Sequence, residues 1–276
     1  MNEDPREMQR IVVPLDGTLF ALRALTPARL LAGSLGLPVE LVTVRYGERR
    51  TEVEQELRAS ARNAGIDDAA VTIMDDEPVS AAEGLAELIK PQSLVCMTTH
   101  ARRGVALAAL GSVARDLVRR VHEPVVLVGP CVDVDRLEPV REVVVCVDGS
   151  GASQRIVPEA AALARRGGAA MRVLEVAHPD VDVRRAQTID GRLLDVHELA
   201  RVASGTGAPT SCRIVESADA PAAIVEQASD PAAVVAMVTH ARRGLDRVVL
   251  GSTTAAVVAR ARVPVLVFRP AGLSGH

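Results

Sequence analysis

The stretch MTTHARRGVALAALGS, residues 97–112, decides the fold of this chain because its motifs occur twice. Three pairs of segments share an offset of 140 residues: THARRG at Thr99 and Thr239, LGS at Leu110 and Leu250, and EPVVLV at Glu123 with VPVLVF at Val263. RIVVPLDGT, which begins at Arg10, likewise matches EVVVCVDGS at Glu142. Since the repeat is as long as a domain, it indicates a gene duplication rather than a solenoid. We expect a first domain over residues 1–130, a linker over 131–139 and a second domain over 140–276.

Each half of the sequence alternates short apolar runs with stretches of helical character. Apolar runs without polar alternation are typical of strands buried on both faces, and this order predicts a doubly wound α/β fold with parallel strands. The predicted strands are 11–15, 39–44, 70–74, 94–98 and 125–128 in the first half, and 143–147, 171–176, 211–215, 233–238 and 265–268 in the second. The predicted helices of the first half are 19–33, 51–64, 79–89 and 112–121, the last with Val113, Leu117 and Val121 on one face.

The composition argues against two classes of partner. Of the 276 residues 48% are hydrophobic but only 1% aromatic, so we expect aliphatic cores. Few aromatic side chains and a net charge of −3 disfavour nucleic-acid binding by base stacking and attraction to anionic membranes.

Cysteine usage and the apolar runs indicate where the protein works. The four cysteines form no CxxC pair, and Cys96 and Cys146 fall within predicted buried strands, which favours structural thiols in a reducing compartment. The polar first ten residues are not typical of a signal peptide, and no apolar run is long enough to cross a bilayer. We therefore expect a cytoplasmic protein.

Three segments of each half are expected to meet at one edge of the sheet. In the first half these are Asp16-Gly17 after strand 1, residues 98–101 after strand 4, and Gly111-Ser112 at a helix start. Ligands of doubly wound sheets bind beyond the carboxyl ends of the strands, where unpaired amides of a helix N-terminus attract anions. Ser112 adds a hydroxyl that either caps the helix or contacts a phosphate. The pattern favours a phosphate-bearing ligand, with a plain Gly-Ser helix start as the structural alternative.

The segments VVPLDGT, MTTHARRG…LGSVA and PVVLV together resemble the universal stress protein family, and the resemblance covers both halves. It implies two Rossmann-like five-stranded parallel sheets of order 3-2-1-4-5, packed as a pseudo-two-fold pair through the last strand of each domain. It leaves a homodimer open. Many members of the family bind ATP through G-x2-G-x9-G-[S/T], while others lack this motif and do not bind it. The resemblance thus implies a stress-response regulatory protein with ATP or AMP as ligand, and with Mg²⁺ only when nucleotide is bound.

The resemblance also implies which residues would contact the nucleotide. Asp16 and Asp148, each followed by a glycine, Gly17 or Gly149, match the acid that contacts the nucleoside. The other matches are Val44 and Val176 beside adenine, Met97 and Met237 at the end of strand 4, Pro14 in strand 1, and the phosphate-binding residues Gly111, Ser112, Val113, Gly251, Ser252 and Thr253. The second unit has Cys146 where the first has Pro14.

Both units depart from the family motif at its first two glycines. Thr98 and Ala101 stand there in the first unit, and Val238 and Ala241 in the second, although the spacing to the third glycine is kept. If the second glycine needs a positive φ, alanine costs about 1 kcal/mol or more of strain. If its role is close backbone approach, the methyl group intrudes on the polyphosphate. Because Thr98 offers a hydroxyl and Val238 does not, we expect the first unit to be the better site.

The sequence gives little support to an enzyme. His100 and His240 lie near the predicted cleft, but a general base needs a partner and a nucleophile that the sequence does not specify, so structural histidines are favoured. No P-loop motif and no carboxylate cluster for Mg²⁺ is present. We expect no catalysis beyond slow ATP hydrolysis at most. Two pairs of loop arginines either contact phosphate or form a solvated loop tip: Arg102 with Arg103, and Arg242 with Arg243.

Two functional hypotheses follow from these observations. The retained Gly-Ser pairs favour a regulatory protein that binds an adenine nucleotide. The missing glycines favour an interaction or scaffold protein whose sites no longer bind nucleotide.

Overall fold

The structure is a computed structural model that describes residues 8–45, 49–74, 78, 80–99, 110–179, 200–201, 203–205, 207–241 and 248–269. In the first unit the strands are β1 (Arg10–Pro14), β2 (Val39–Val44), β3 (Ala70–Met74), β4 (Ser93–Thr98) and β5 (Val125–Val128). Its helices are α1 (Leu25–Leu35), which follows a 3-10 turn at Ala21–Ala24, then α2 (Arg50–Asn63), α3 (Ala81–Leu88) and α4 (Ser112–Arg120).

In its described residues, the second unit repeats the order of strands and the helices that follow its first, third and fourth main strands. Its strands are β6 (Glu142–Val147), β7 (Ala170–Ala177), β8 (Thr210–Glu216), β9 (Ala233–Val238), β10 (His240–Ala241), β11 (Val248–Val249) and β12 (Val265–Phe268). Its described helices are α5 (Gly151–Arg166), α6 (Ala220–Gln227) and α7 (Ser252–Arg260). The predicted strands therefore lie where the apolar runs placed them, to within one residue at each end.

Ten of the twelve described strands form one sheet of order β3-β2-β1-β4-β5-β12-β9-β6-β7-β8, and β10 and β11 form a separate two-stranded sheet. Neighbouring strands within each unit are parallel, and both units show the predicted order 3-2-1-4-5. At the centre β5 and β12 pair antiparallel, with Val126 opposite Leu266. The two predicted sheets are thus continuous through the last strand of each unit.

Aliphatic side chains fill both faces of the sheet, as the composition predicted. One face is covered by α1, α2 and α5, and the other by α3, α4, α6 and α7. Residues of the central strands β1, β4, β5, β6, β9 and β12 are almost all buried, whereas the edge strand β8 is largely exposed. Phe268 in β12 is among the largest fully buried side chains. None of the helices in the described part of the chain is long and apolar enough to cross a membrane.

Two arginines of the second unit bind backbone carbonyl groups of the first unit, three of them at helix C-termini and one, that of Met8, before β1. Arg166, at the end of α5, donates from Nε to the carbonyl of Leu35 at 2.9 Å and from Nη1 to that of Met8 at 2.5 Å. Arg269 follows β12 and donates to the carbonyls of Arg119 and Val121 at the end of α4, each at 3.4 Å. Carbonyl groups at a helix C-terminus have no partner within the helix, so these contacts stabilise the helix ends and join the units.

Two local predictions differ from the structure, and one strand pair was not predicted. Val113 shares a predicted helix face with Leu117 and Val121, but it is 38% exposed while they are buried, because it lies in the first turn of α4. The helix expected from residue 19 begins as a 3-10 turn and becomes α-helical only at Leu25. The pairing of β10 with β11 was not predicted, since strands of two residues leave no periodicity in a sequence.

The segment predicted as the linker packs against the first unit. Val132 is fully buried in the same hydrophobic cluster as α1, and Val134 and Leu137 pack partly buried against it. The guanidinium of Arg23 donates to the carbonyl of Val132.

Candidate functional site

The Asp16-Gly17 loop leaves β1 as a tight turn closed by its own side chains. Asp16 Oδ1 accepts hydrogen bonds from the backbone amide of Thr18 at 2.9 Å and from its hydroxyl at 2.7 Å. Gly17 has a φ of 78°, in the left-handed region that favours glycine. The turn places the exposed carboxylate of Asp16 at the carboxyl edge of the sheet.

The corresponding loop of the second unit has the same shape. Gly149 has a φ of 76°, and Asp148 Oδ1 accepts from the amide of Ser150 at 3.0 Å. It also accepts from the hydroxyl of Ser153 at 2.6 Å. The duplicated DG motif therefore encodes a duplicated turn.

The end of strand 4 contacts the start of the next helix. The amide of Gly111 donates to the carbonyl of Thr99 at 2.7 Å, and Thr99 is itself held to β5 through the carbonyl of Val128 at 3.2 Å. This brings the β4 end and the start of α4 to one place on the edge of the sheet.

The helices α4 and α7 both begin at a glycine without a side-chain cap. Gly111 and Gly251 occupy the cap positions with closely similar backbone angles, φ −54° and ψ 152° against φ −58° and ψ 154°. Ser112 and Ser252 are consequently the first helical residues and not the caps. The next residues, Val113 and Thr253, are exposed as well, so the helix start faces solvent. Such a start offers backbone amides to an anion.

Apolar residues expected beside the nucleoside lie on the sheet face of α4 or α7. Val44, half-buried at the end of β2, and Met97, buried in β4, belong to the hydrophobic cluster beneath α4. Val176 and Met237 belong to the same cluster in the second unit. Pro14 is a buried β1 residue paired with Val42 and so lies behind the loop.

The positions of the motif glycines are partly described. Thr98 and Val238 are strand residues paired with β5 and β12, opposite Val128 and Phe268. Ala241 lies in the short strand β10 and is not among the residues with positive φ, so the strain considered for alanine does not arise there. Four sets of residues fall outside the described structure: Ala101, the four loop arginines at 102, 103, 242 and 243, His100, and the side chains of His240 and Ala241.

Two observations describe the metal-ligating residue types and the buried thiols in the part of the chain that the structure describes. No group of three His, Cys, Asp or Glu residues is arranged to hold a metal ion there. Burial raises the pKa of the Cys146 thiol to about 12, and burial also raises the pKa of the Cys96 thiol, as expected for inert core thiols.

Sequence reasoning missed Arg45, which follows β2. A Cβ built on Gly17 would lie only 1.6 Å from Arg45 Nη2, so the guanidinium lies directly against the Gly17 backbone. Glu56 of α2 holds it with two hydrogen bonds, of 2.7 and 3.1 Å, and these lower the pKa of the Glu56 carboxyl. One indication of this contact is present in the sequence, because Arg45 is a charged residue directly after an apolar strand. No sequence motif, however, links Arg45 to Gly17.

The fold and these paired loops define a tandem Rossmann-like α/β protein. The sequence profile of the Universal stress protein family matches residues 7–129 and 139–269, and the chain belongs to that family. Solved structures with a similar fold include a universal stress protein from Archaeoglobus fulgidus DSM 4304, at 18% identity and a TM-score of 0.66 over 95% of this chain and 98% of that chain. A functionally unknown protein from Pseudomonas aeruginosa PAO1 is 21% identical, with a TM-score of 0.65 over 96% of this chain and 94% of that chain. The comparison with curated proteins found no match.

Proposed function

We propose that this chain is a non-catalytic regulatory protein of the stress response that binds an adenine nucleotide at the carboxyl edge of its sheet. One contrast between helix starts carries the proposal. The cap side chains Ser80, Ser150 and Asp219 accept hydrogen bonds from first-turn amides of α3, α5 and α6. The cap positions of α4 and α7 are glycines, so no cap side chain competes with a ligand for the amides there. The helices α1 and α2 also lack a side-chain cap, but their cap positions are Ala24, which continues a 3-10 turn, and Arg49, so among the described helices only α4 and α7 begin at a residue without a side chain. An anion gains both from these amides and from the helix dipole.

The rest of the edge suits a nucleoside attached to that anion. In the first unit, Asp16 would accept a hydrogen bond from the ribose, and Val44 with Met97 would supply an apolar wall for the base. Asp148, Val176 and Met237 would do the same in the second unit. The phosphates would contact Gly111, Ser112 and Val113, or Gly251, Ser252 and Thr253. Mg²⁺ would enter only with these phosphates.

The first unit is proposed as the stronger site. Thr98 is half-buried at the end of β4 and brings a hydroxyl to the edge of the sheet, whereas Val238 at the end of β9 is buried and apolar. A polyphosphate gains a hydrogen-bond donor from threonine and none from valine.

Calorimetric titration with ATP, ADP and AMP tests the proposal. Gly111→Asp places a carboxylate where the phosphates would bind in the first unit, and Gly251→Asp does so in the second. Gly33→Asp is the matched control, because a Cβ at Gly33 in α1 meets no atom within 4 Å. We expect Gly111→Asp to weaken binding by at least about tenfold, corresponding to 1.4 kcal/mol, and Gly33→Asp to leave it unchanged.

A folded protein that binds none of the three nucleotides would refute this function. The second hypothesis, an interaction protein with degenerate sites, would then hold. The observation in its favour is that neither Thr98 nor Val238 preserves the first glycine of the family motif.

The organisation of the chain is part of the same proposal. We place the domain boundary within residues 131–139 and regard the antiparallel contact of β5 with β12 as the pairing surface of the two domains. A homodimer of whole chains and a cytoplasmic location stay predictions from the sequence, as does the absence of nucleic-acid and membrane partners.

A further inference from the structure

Strand register places Arg45 beside Gly17. Pro14 of β1 pairs with Val42 of β2, and three residues further along both strands the chain reaches Gly17 and Arg45. The atoms Nη2 and Cζ of the guanidinium lie 1.6 and 2.6 Å from the position of a Cβ on Gly17. Arginine therefore fills the space in which any other residue at position 17 would place its side chain.

The guanidinium is fixed in this position. Its two terminal nitrogens each donate to one oxygen of Glu56, at 2.7 and 3.1 Å. The Arg45 side chain is 11% exposed and that of Glu56 52% exposed. A two-bond contact of this kind fixes orientation as well as distance, which a single flexible ion pair does not. The ion pair therefore supports the loop at the residue that follows Asp16.

In the described part of the second unit, strand register places an alanine at the position of Arg45, and a different contact supports the loop. Cys146 of β6 pairs with Leu174 of β7, and three residues further the register reaches Gly149 and Ala177, whose side chain is too short for this contact. There the buried hydroxyl of Ser153 donates to Asp148 Oδ1 at 2.6 Å and accepts from the Asp148 amide at 3.2 Å.

The first unit has Ala21 where the second has Ser153. The two positions correspond because the amide of Ala21 donates to the Thr18 hydroxyl at 3.1 Å, just as that of Ser153 donates to the Ser150 hydroxyl at 3.2 Å. Among the residues that the structure describes, each unit thus shows one of the two supports and has alanine at the position of the other.

We propose that Arg45 is a positioning residue of the first nucleotide site and that Ser153 has this role in the second. Arg45 acts through Gly17 and keeps the Asp16 loop in the conformation that receives a ligand. A loop that samples other conformations binds its ligand more weakly, because the apparent affinity is the intrinsic affinity multiplied by the fraction of molecules in the binding conformation. The two sites of this chain therefore depend on different residues and are separable by mutation. This inference deepens the proposed function, on which its nucleotide part rests.

Amide hydrogen exchange of the ligand-free protein tests the positioning role without any nucleotide. In Arg45→Ala, we expect exchange of residues 15–20 to rise at least about fivefold while residues 147–152 stay as in the wild type, because only local opening becomes easier. Ser153→Ala should give the opposite pattern. Unchanged exchange at residues 15–20 in Arg45→Ala, or an equal rise in both loops, would overturn the assignment.

Two comparisons distinguish the effect of the contact between Arg45 and Gly17 from the effect of losing a charge. Glu56→Gln weakens the support of Arg45, whereas Glu54→Gln, on the same helix, removes only the exposed partner of Arg58 at 2.9 Å and is the matched control. Gly17→Ala should lower the melting temperature more in the wild-type background than with Arg45→Ala, because only the former contains the guanidinium that the methyl group meets. Equal losses in the two backgrounds would show that Arg45 does not press on Gly17.

Titration with ATP then tests the functional part. If the wild type binds, Arg45→Ala should weaken only the site that Gly111→Asp removes, and Ser153→Ala only the site that Gly251→Asp removes. Loss of both sites, or of neither, in Arg45→Ala would contradict the positioning role even where the exchange data agree. If the wild type binds no nucleotide, the proposed function fails, while the exchange experiment still decides whether the two loops are held by different residues.

Discussion

Gly129, which follows β5, lies where a side chain does not fit. A Cβ at this position would be 2.0 Å from the carbonyl oxygen of Val258 in α7, so the first unit approaches a helix of the second backbone to backbone. We expect Gly129→Ala to lower the free energy of unfolding by about 1–3 kcal/mol, because either the strand or the helix must move. Urea denaturation measures the change.

The matched control is Gly33→Ala in α1. A methyl group there meets nothing within 4 Å, and alanine is the better helix former, so this variant should gain up to about 1 kcal/mol. A Gly129→Ala protein as stable as Gly33→Ala would show that α7 does not approach β5 so closely.

The buried thiol of Cys146 makes stability depend on alkaline pH. Its pKa rises from an ordinary 9.0 to about 12 through burial, with Arg172 opposing the shift. The unfolded chain therefore loses this proton first, so the contribution of Cys146 to stability is intact below pH 9.0 and falls as the pH rises toward 12. In urea denaturation at increasing pH, the free energy of unfolding should decline less in Cys146→Ala than in the wild type. Identical pH profiles would contradict a protonated buried thiol.

At the scale of the elements, the agreement between sequence and structure follows from burial. Strands covered on both faces require continuous apolar runs, and these runs located the ten strands of the sheet. The DG motifs located the two loops, because a left-handed turn after a strand restricts the residue to glycine.

What escaped prediction depends on contacts between distant residues. Gly17 and Arg45 are neighbours only through the register of β1 and β2, and Arg45 with Glu56 only through the packing of α2. The Val113 error has a similar cause. Helical periodicity identifies a face but not which turns of that face are covered, and Val113, in the first turn of α4, is exposed.

The contact between α5 and the end of α1 gives a prediction at this scale. In Arg166→Leu, the carbonyl of Leu35 loses its charged donor, and a hydrogen bond to a charged group contributes about 1.5–3 kcal/mol. We expect faster amide exchange in residues 32–37 and a lower melting temperature. Arg165→Leu removes the same charge from the same turn of α5 and is the control. If both variants behave alike, charge at the helix end and not the Leu35 contact is responsible.

At the scale of the whole molecule, the two units share one sheet and one core. Residues of β1 and α1 belong to the same buried cluster as residues of α5 and β12. The antiparallel pair of β5 and β12 lies at its centre, with Val126, Leu127 and Leu266 fully buried. Neither unit can unfold alone without exposing the last strand of the other to water.

We therefore expect the chain to unfold in one cooperative transition, although its sequence contains two domains. Differential scanning calorimetry should give a single peak whose calorimetric and van't Hoff enthalpies agree, as they do for a two-state transition. Val126→Asp, which places a charge in the shared core, should lower the temperature of that one peak. Independent domains joined only by a linker would instead give two peaks, of which a substitution in the first unit shifts one. Two separable transitions would show that the central strand pair does not unite the units energetically, whatever its geometry.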